Sequence, residues 1–125
     1  MSKNILYIED NPTNTLLMHK FLGRIKKYKL HDAPDAEAGI EMLKSMQPVA
    51  ILMDIGLPGM NGFQAMEKIR EQFDFAKDLP IIAVTADAMS EQVERAGDTG
   101  FFDYITKPID FNKLLVTLEI ATEEL

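Results

Sequence analysis

The chain has 125 residues, with thirteen Lys and Arg, twenty Asp and Glu, and no cysteine. This length fits one domain with a core of its own, so we predict a single domain over residues 1–125. The net charge of -7 disfavours direct nucleic-acid binding, and the chain shows neither a leader peptide nor an apolar stretch of membrane length, which predicts a cytoplasmic protein without membrane contact.

Apolar runs and helix caps alternate along the first part of the chain. Residues 5–8 predict a short buried strand, after which Asn11 as N-cap and Pro12 at the first helical position predict a helix. A polar run over residues 29–33 predicts an edge strand, and Asp35 predicts the cap of a second helix. The apolar residues at helical spacing are Leu17, Met18, Phe21, Leu22 and Ile25 in the first helix and Ala36, Ile40 and Leu43 in the second.

Residues 49–54 form an unbroken apolar run that ends at the carboxylate of Asp54. A run without polar alternation predicts a strand buried on both faces, as in the middle of a parallel sheet. Asp54 would then lie at the carboxyl end of a central strand, which is the edge where open α/β sheets bind ligands. Gly56, Pro58 and Gly59 predict a loop behind it.

The remainder of the chain continues the alternation of helices and strands. The predicted elements are a helix capped by Asn61, a strand over residues 81–85 entered through Pro80, a short helix over residues 89–96, a strand over residues 101–105 and a last helix capped by Asp110. The apolar positions that recur in these two longer helices are Phe63, Met66, Ile69 and Phe73, then Phe111, Leu114, Leu115, Leu118 and Ala121.

Strand-helix units in succession imply a parallel sheet with right-handed crossovers and helices on both faces. The prediction is therefore an α/β, doubly wound, three-layer sandwich with a five-stranded sheet. For five units the common strand order is 2-1-3-4-5, in which the ends of strands one and three are neighbours.

Polar residues stand at the carboxyl ends of four predicted strands. They are Glu9, Asp10, Asp54, Thr85 and, just past the fifth strand, Lys107. Taken singly, an acid after a strand usually caps the next helix, a Thr commonly ends a strand, and Lys-Pro is often a solvated turn. These separate explanations become much weaker when the four ends converge at one edge of a sheet.

Three carboxylates at one switch point repel each other unless a proton or a cation compensates their charge. Oxygen-only ligands favour Mg²⁺, with Mn²⁺ as a second possibility, over zinc. A carboxylate such as Asp54 beside a metal can act as a nucleophile toward phosphorus and form an aspartyl phosphate. Lys107 and the Thr85 hydroxyl then suit the phosphoryl oxygens.

The four strand ends resemble the receiver domain of two-component response regulators, the CheY-like domains, which have a flavodoxin-like fold. The resemblance covers essentially the whole chain. Its motifs are Tyr-Ile-Glu-Asp-Asn-Pro at strand one, Leu-Met-Asp-Ile-Gly-Leu-Pro-Gly-Met-Asn-Gly at strand three, Ala-Val-Thr-Ala at strand four and Tyr-Ile-Thr-Lys-Pro at strand five.

The resemblance implies a role for each site residue. Asp54 is the phosphoacceptor, Asp10 a direct Mg²⁺ ligand, Glu9 the second acid and Gly56 a ligand through its backbone carbonyl. The roles at the last two strand ends are contacts of Thr85 and Lys107 with the phosphoryl group, a switch formed by Thr85 and Tyr104, and a cis bond before Pro108.

The resemblance also implies signalling partners. The phosphoryl group would come from a phosphohistidine of a sensor kinase or histidine phosphotransfer protein. A downstream protein would bind the face built from the short helix over residues 89–96, strand five and the last helix, with the chain a monomer or a phosphorylation-dependent dimer. We expect no enzymatic activity beyond phosphorylation and dephosphorylation of the chain itself. A stand-alone response regulator is favoured over a receiver excised from a hybrid histidine kinase or multidomain regulator.

Some positions depart from the family pattern or invite other roles. Asn61 stands where many relatives have Asp, and either residue caps a helix. Gly56 and Asp87 occupy positions that tune phosphate lifetime in the family. His19 and His31 lie on the first helix and an edge strand, away from the strand ends, so we expect neither to carry phosphate.

Three other functions compete with this interpretation, and the sequence disfavours each of them for a different reason. A flavin carrier would share the sheet order, but two acids after strand one oppose a flavin phosphate. A haloacid-dehalogenase-type phosphatase, which also forms a magnesium-dependent aspartyl phosphate, places its nucleophile after strand one as Asp-x-Asp, and this chain lacks that motif there. A degenerate receiver used only for docking would not need the complete set of site residues.

Overall fold

The computed structural model describes residues 3–86 and 100–123, in which strands and helices alternate as predicted. The strands are β1 (Lys3–Ile8), β2 (Tyr28–Ala33), β3 (Ala50–Asp54), β4 (Ile81–Thr85) and β5 (Asp103–Thr106). The helices in this part of the chain are α1 (Pro12–Leu22), α2 (Ala36–Met42), α3 (Gly62–Gln72) and α4 (Phe111–Thr122), with a short 3-10 helix at Asp74–Ala76. None of the described helices has the length and apolar character needed to cross a bilayer.

The five strands form one parallel sheet in the order β2-β1-β3-β4-β5. This confirms the predicted fold and strand order. In the register Ile8 lies opposite Met53, and Asp54 lies opposite Val84. The residues that follow β1 and end β3 and β4 are therefore neighbours at one edge of the sheet, as the switch-point argument predicts.

Alternate strand residues bury two cores, one on each face of the sheet. Ile51 and Met53 point toward the face covered by α2 and α3. Leu52 points the other way, toward α1 and α4. Burial on both faces explains the unbroken apolar run before Asp54, since burying one such side chain stabilises the fold by about 1.5–3 kcal/mol.

The helices begin where the predicted caps lie. Asn11 accepts a hydrogen bond from the Thr13 amide, and Asp35 accepts one from the Ala38 amide. Asn61 forms a reciprocal capping box with Gln64, over distances of 2.9 and 3.1 Å. The last helix, α4, begins after Asp110, whose side chain accepts hydrogen bonds from the amides of Asn112 and Lys113. Loss of such a cap costs about 1 kcal/mol.

Several predicted boundaries differ from the structure: β1 begins at Lys3 rather than at residue 5, and Phe73 lies just after the end of α3. The fifth strand begins at Asp103 and ends at Thr106 rather than covering residues 101–105. Phe101 is instead buried before the strand and packs edge-on against Phe63, with ring centroids 5.5 Å apart. Helix α1 ends before Gly23, so Ile25 lies in the following turn, although it still packs on the core. The predicted helix over residues 89–96 and Asp87 lie outside the described residues.

Candidate functional site

The three acids of the predicted site meet at the carboxyl edge of the sheet. Each of Glu9, Asp10 and Asp54 offers one carboxylate oxygen, and these oxygens all lie within 4.8 Å of one another. Glu9 and Asp54 are 2% and 7% exposed, whereas Asp10 is exposed to solvent. Two buried carboxylates and one accessible carboxylate therefore share one small volume.

The loop after β3 folds back closely under Asp54. The Gly56 amide donates a hydrogen bond to Oδ1 of Asp54 over 3.0 Å. Gly62 starts α3, and a Cβ atom there would lie 2.9 Å from Ile55 Cα and 3.0 Å from the Asp54 carbonyl oxygen. No real Cβ contact tolerates such crowding with backbone, so glycine at position 62 allows α3 to begin directly beneath the site.

Lys107 supplies a cation to the acid cluster. Its Nζ lies 3.0 Å from Oε1 of Glu9 and 3.2 Å from Oδ2 of Asp54. Its backbone amide donates to the Thr85 carbonyl over 2.7 Å, and the bond from Lys107 to Pro108 is cis. One ammonium group thus bridges the two buried carboxylates.

Thr85 ends β4 and is buried, 3% exposed. It follows Val84, which lies opposite Asp54, and it pairs with Thr106 on β5. Tyr104 lies on β5 opposite Ala83 and is 37% exposed. The two residues predicted to form a switch therefore lie on adjacent strands, with the tyrosine side chain on the outside.

Sequence reasoning missed one contact of the site. The side-chain amide of Asn14 donates to Oε1 of Glu9, the same oxygen that Lys107 contacts. Asn14 stands three residues after the helix cap Asn11, in the first turn of α1. A polar residue in the first turn of a helix that follows a strand end faces back toward that end, and this position was the available signal.

The two buried acids have opposite pKa shifts. Burial, acting first, and the neighbouring Asp54 raise the pKa of Glu9 to about 7, although Asn14 and Lys107 act to lower it. Burial would also raise the pKa of Asp54, but the Glu9 side chain, the Gly56 amide and Lys107 together hold that pKa below its ordinary value. Without metal, the shared proton therefore resides on Glu9 and Asp54 stays ionised.

The pKa of Lys107 is raised. Burial acts most strongly and would lower it, but the carboxylates of Glu9 and Asp54 outweigh burial. The ammonium form is therefore firmly held at neutral pH.

The donor set fits a hard divalent cation. Oε2 of Glu9 is buried and has no hydrogen-bond partner in the described part of the chain. Because a carboxylate oxygen only accepts, this atom requires a proton or a cation. Three carboxylates with oxygen donors only suit Mg²⁺ better than softer metals. Gly56 lies in the exposed loop beside them, and its carbonyl as a ligand stays a prediction.

The two histidines are engaged elsewhere. Nε2 of His19 lies 2.7 Å from Oδ1 of Asp32, and Nε2 of His31 lies 3.1 Å from Oδ1 of Asn4. His19 lines a depression that also borders Glu9 and is thus nearer to the acids than predicted. Among the hydrogen bonds and ion pairs between described residues, neither histidine contacts Asp54.

Comparison with known proteins gives one family. The model for "Response regulator receiver domain" matches residues 5–119. The chain is 35% identical over 115 residues to the signal transduction histidine-protein kinase BarA of Escherichia coli (strain K12), a match that covers 91% of the chain but only 12% of BarA. It is 33% identical over 107 residues to an uncharacterized 14.6 kDa protein of Leptolyngbya boryana, covering 86% of the chain and 80% of that protein.

One similar crystal structure contains a metal. It is the receiver domain of sensor histidine kinase PA1611 from Pseudomonas aeruginosa PAO1, with a magnesium ion coordinated in its active site cleft. The two chains share 30% identity and a TM-score of 0.88, over 98% of each chain. The acid cluster of the present chain lies at the edge of the same fold.

Proposed function

The chain belongs to the family of response regulator receiver domains, and on that premise we propose that it accepts a phosphoryl group on Asp54 and thereby changes its affinity for a protein partner. The donor is a phosphohistidine of a histidine kinase or histidine phosphotransfer protein. The observation that carries the proposal is the ionised, buried carboxylate of Asp54, held between the Gly56 amide and the Lys107 ammonium.

The reaction is a transfer between two side chains. An oxygen of the Asp54 carboxylate forms the new bond to phosphorus while the phosphorus–nitrogen bond of the donor breaks. The bonding pair leaves with the imidazole ring, which takes up one proton from solvent and becomes the neutral histidine of the donor. Such a transfer depends mainly on positioning and on stabilising charge, which are the two properties that the site supplies.

A metal fits the proposal. Glu9, Asp10 and Asp54 would hold Mg²⁺, or Mn²⁺ as a second candidate, and the ion would neutralise the charge that develops on the phosphoryl oxygens. Lys107 also contributes, because its ammonium can move from the carboxylates to a phosphoryl oxygen once Asp54 is phosphorylated. The Thr85 hydroxyl donates to another phosphoryl oxygen.

The switch uses the neighbouring strands. As Thr85 shifts toward the phosphoryl group, Tyr104 turns inward from its exposed position on β5. The partner surface that includes β5 and α4 changes shape as a result. If so, Thr85→Ala should still accept phosphate, yet its phosphorylated form should bind the partner little better than its unphosphorylated form in a pull-down assay. An unchanged gain in affinity would remove Thr85 from the switch.

The chain acts as a stand-alone receiver in this proposal, with the receiver module of a longer histidine kinase as the alternative. The two arrangements differ in the source of the phosphoryl group, which arrives from another molecule in the first and from a joined domain in the second. No catalytic turnover of other substrates is proposed. The chain promotes only the phosphorylation of Asp54 and the hydrolysis of the resulting acyl phosphate.

Phosphotransfer from a labelled donor tests the proposal. A histidine phosphotransfer protein carrying radiolabelled phosphate is mixed with the chain and Mg²⁺, and we expect the label to move to the chain but not to Asp54→Asn. Asp32→Asn is a matched control, because it removes one carboxylate that pairs with His19 outside the acid cluster. A label of equal amount on Asp54→Asn contradicts the proposal. Rapid, repeated hydrolysis of a generic phosphate monoester would indicate a phosphatase instead.

A further inference from the structure

Positive charge is concentrated in one segment of this acidic chain. Residues 11–31 contain five Lys and Arg and no Asp or Glu, whereas the other residues contain eight Lys and Arg and all twenty acids. The segment covers α1, the turn after it and the start of β2. A patch of +5 within a chain of net charge -7 creates a strong local field of opposite sign to the remaining surface.

The cations of the turn form a surface of their own. We define the α1–β2 basic surface as Lys20, Arg24, Lys26 and Lys27, all of which are exposed. A series of tight backbone hydrogen bonds compacts the turn, such as Arg24 N to Phe21 O at 3.3 Å. Within the described residues, which are 3–86 and 100–123, none of the ion pairs involves Lys20, Arg24 or Lys27.

This surface lies at the end of the molecule opposite the acid cluster. The Lys3 amide donates to the Lys27 carbonyl over 2.8 Å, and Lys3 lies opposite Tyr28 in the sheet. Lys3 and Tyr28 lie at the amino ends of their strands, whereas Asp54 lies at the carboxyl end of its strand. A partner on the α1–β2 basic surface therefore leaves Asp54 accessible.

Exposed apolar side chains adjoin Lys27, one of these cations. Val116 and Ile120 stand one turn apart on α4 and are 57% and 60% exposed. They line a depression together with Lys27, Glu119 and Glu123. The depression is thus lined by two apolar side chains, one cation and two carboxylates.

We propose that the α1–β2 basic surface, with Val116 and Ile120, docks an acidic segment of a protein partner that also carries apolar residues. The partner's carboxylates lie over Lys20, Arg24 and Lys27, and its apolar residues cover the α4 pair. Glu119 and Glu123, which line the same depression, repel carboxylates placed near them and so restrict the orientation of the segment. The repulsion among the like charges of this surface is compensated by the partner's carboxylates in the complex.

A short protein segment fits better than an extended polyanion. A nucleic acid or an anionic bilayer would extend beyond the patch and meet the acidic remainder of the chain. Charges more than about 8–10 Å apart are screened at physiological salt, so the patch acts only on groups placed directly over it. The small size of the surface therefore selects a compact acidic segment.

Nuclear magnetic resonance titration of the whole chain tests the proposal. The probe is a synthetic peptide of Glu-Glu-Leu-Leu repeats, compared with the same peptide carrying Gln for Glu. We expect amide shifts confined to residues 20–27 and 116–120. We expect the affinity to fall at least about tenfold in Lys20→Glu/Arg24→Glu/Lys27→Glu, since each lost exposed contact contributes a fraction of a kcal/mol and each new like charge opposes binding.

A control variant with the same net charge distinguishes docking at this surface from nonspecific electrostatic attraction. Lys44→Glu/Lys68→Glu/Lys77→Glu changes the net charge equally at exposed positions elsewhere and should bind the peptide as the parent does. Equal weakening in both variants, equal binding of the Gln peptide, or no peptide binding at all would each overturn the proposal. So would tighter binding to phosphatidylserine vesicles or to an RNA duplex. Should the charge reversal unfold the chain, the Gln substitutions at the same three positions give the same comparison.

Discussion

At the scale of single residues, the surroundings of Glu9 and Asp54 give these two buried acids different protonation states. Both are nearly inaccessible, and Lys107 contacts both. Asp54 has the Gly56 amide as an additional donor, whereas Oε2 of Glu9 has no partner among the described residues. Without metal, Asp54 therefore stays ionised while Glu9 holds the proton.

The raised pKa of Glu9 predicts an unusual dependence of stability on pH in chelator. Folding raises this pKa from 4.5 to about 7, so the folded chain binds the proton more tightly than the unfolded chain does. The stabilisation is complete below about pH 4.5 and is lost as the pH rises through about 7, with a total on the order of 3 kcal/mol. The lowered pKa of Asp54 acts oppositely, and its contribution is lost only in more acidic solution.

Urea denaturation across this pH range measures the effect. In chelator the free energy of unfolding should fall between about pH 5 and pH 8 for the parent. It should change much less for Glu9→Gln, which keeps the size of the side chain but carries no titrating proton. The same pH slope in both proteins would show that Glu9 is not the responsible group.

At the scale of elements, Arg70 joins three parts of the chain at the amino edge of the sheet. It lies near the end of α3, and its Nη1 lies 2.7 to 3.1 Å from the carbonyls of Ala76, Lys77 and Leu79. Nη2 donates to the Gly100 carbonyl over 2.9 Å. One guanidinium group thus fixes the connection to β4 and the approach to β5.

Replacement of Arg70 by Lys should destabilise the fold by roughly 1–3 kcal/mol, because a single ammonium cannot reproduce the planar fork and leaves carbonyls without donors. Arg24→Lys is the matched control and should change the stability little, since Arg24 is exposed. Thermal melts of the two variants check this. Equal melting temperatures would show that the carbonyls find water instead. Phosphorylation of Asp54 should be retained in both.

The elements also show what the sequence could and could not predict. The strands and helix caps followed from apolar runs and capping residues, because these patterns act locally. The strand order and the convergence of Asp54 with Glu9 followed from the common topology of five strand-helix units. The start of β5 could not be predicted in this way, because it depends on the packing of Phe101 on Phe63 of α3, a contact between residues distant in sequence. The bonds of Arg70 to loop carbonyls were equally invisible, because they depend on the path of the backbone and not on residue type.

At the scale of the whole molecule, function and stability oppose each other. The acid cluster places three carboxylates together in the folded chain and separates them in the unfolded chain. Their repulsion weakens the metal-free fold, and a bound cation reverses this loss. The basic surface at the other end has the same character, because like charges gathered for a partner destabilise the free chain.

Removal of one carboxylate should reveal this opposition. Asp10→Asn should melt at a higher temperature than the parent in chelator. Mg²⁺ at tenfold its dissociation constant should stabilise the parent by about 1.4 kcal/mol, or roughly 3–6 °C, and should stabilise the variant much less. Glu67→Gln, an exposed acid on α3, is the control and should respond to Mg²⁺ as the parent does. A variant that is less stable in chelator yet gains as much from Mg²⁺ would show that the cation binds elsewhere.

The most direct measurement concerns Asp54 itself. The chain is incubated with acetyl phosphate and Mg²⁺ and then examined by intact-mass and peptide mass spectrometry. We predict the addition of one phosphoryl group, stable to acid and labile to hydroxylamine as an acyl phosphate is, on the peptide that contains Asp54. The addition should be absent in chelator and absent in Asp54→Asn. A phosphoryl group that persists at full stoichiometry in Asp54→Asn, or that maps to another residue of the parent, would contradict the assignment of Asp54 as the phosphoacceptor.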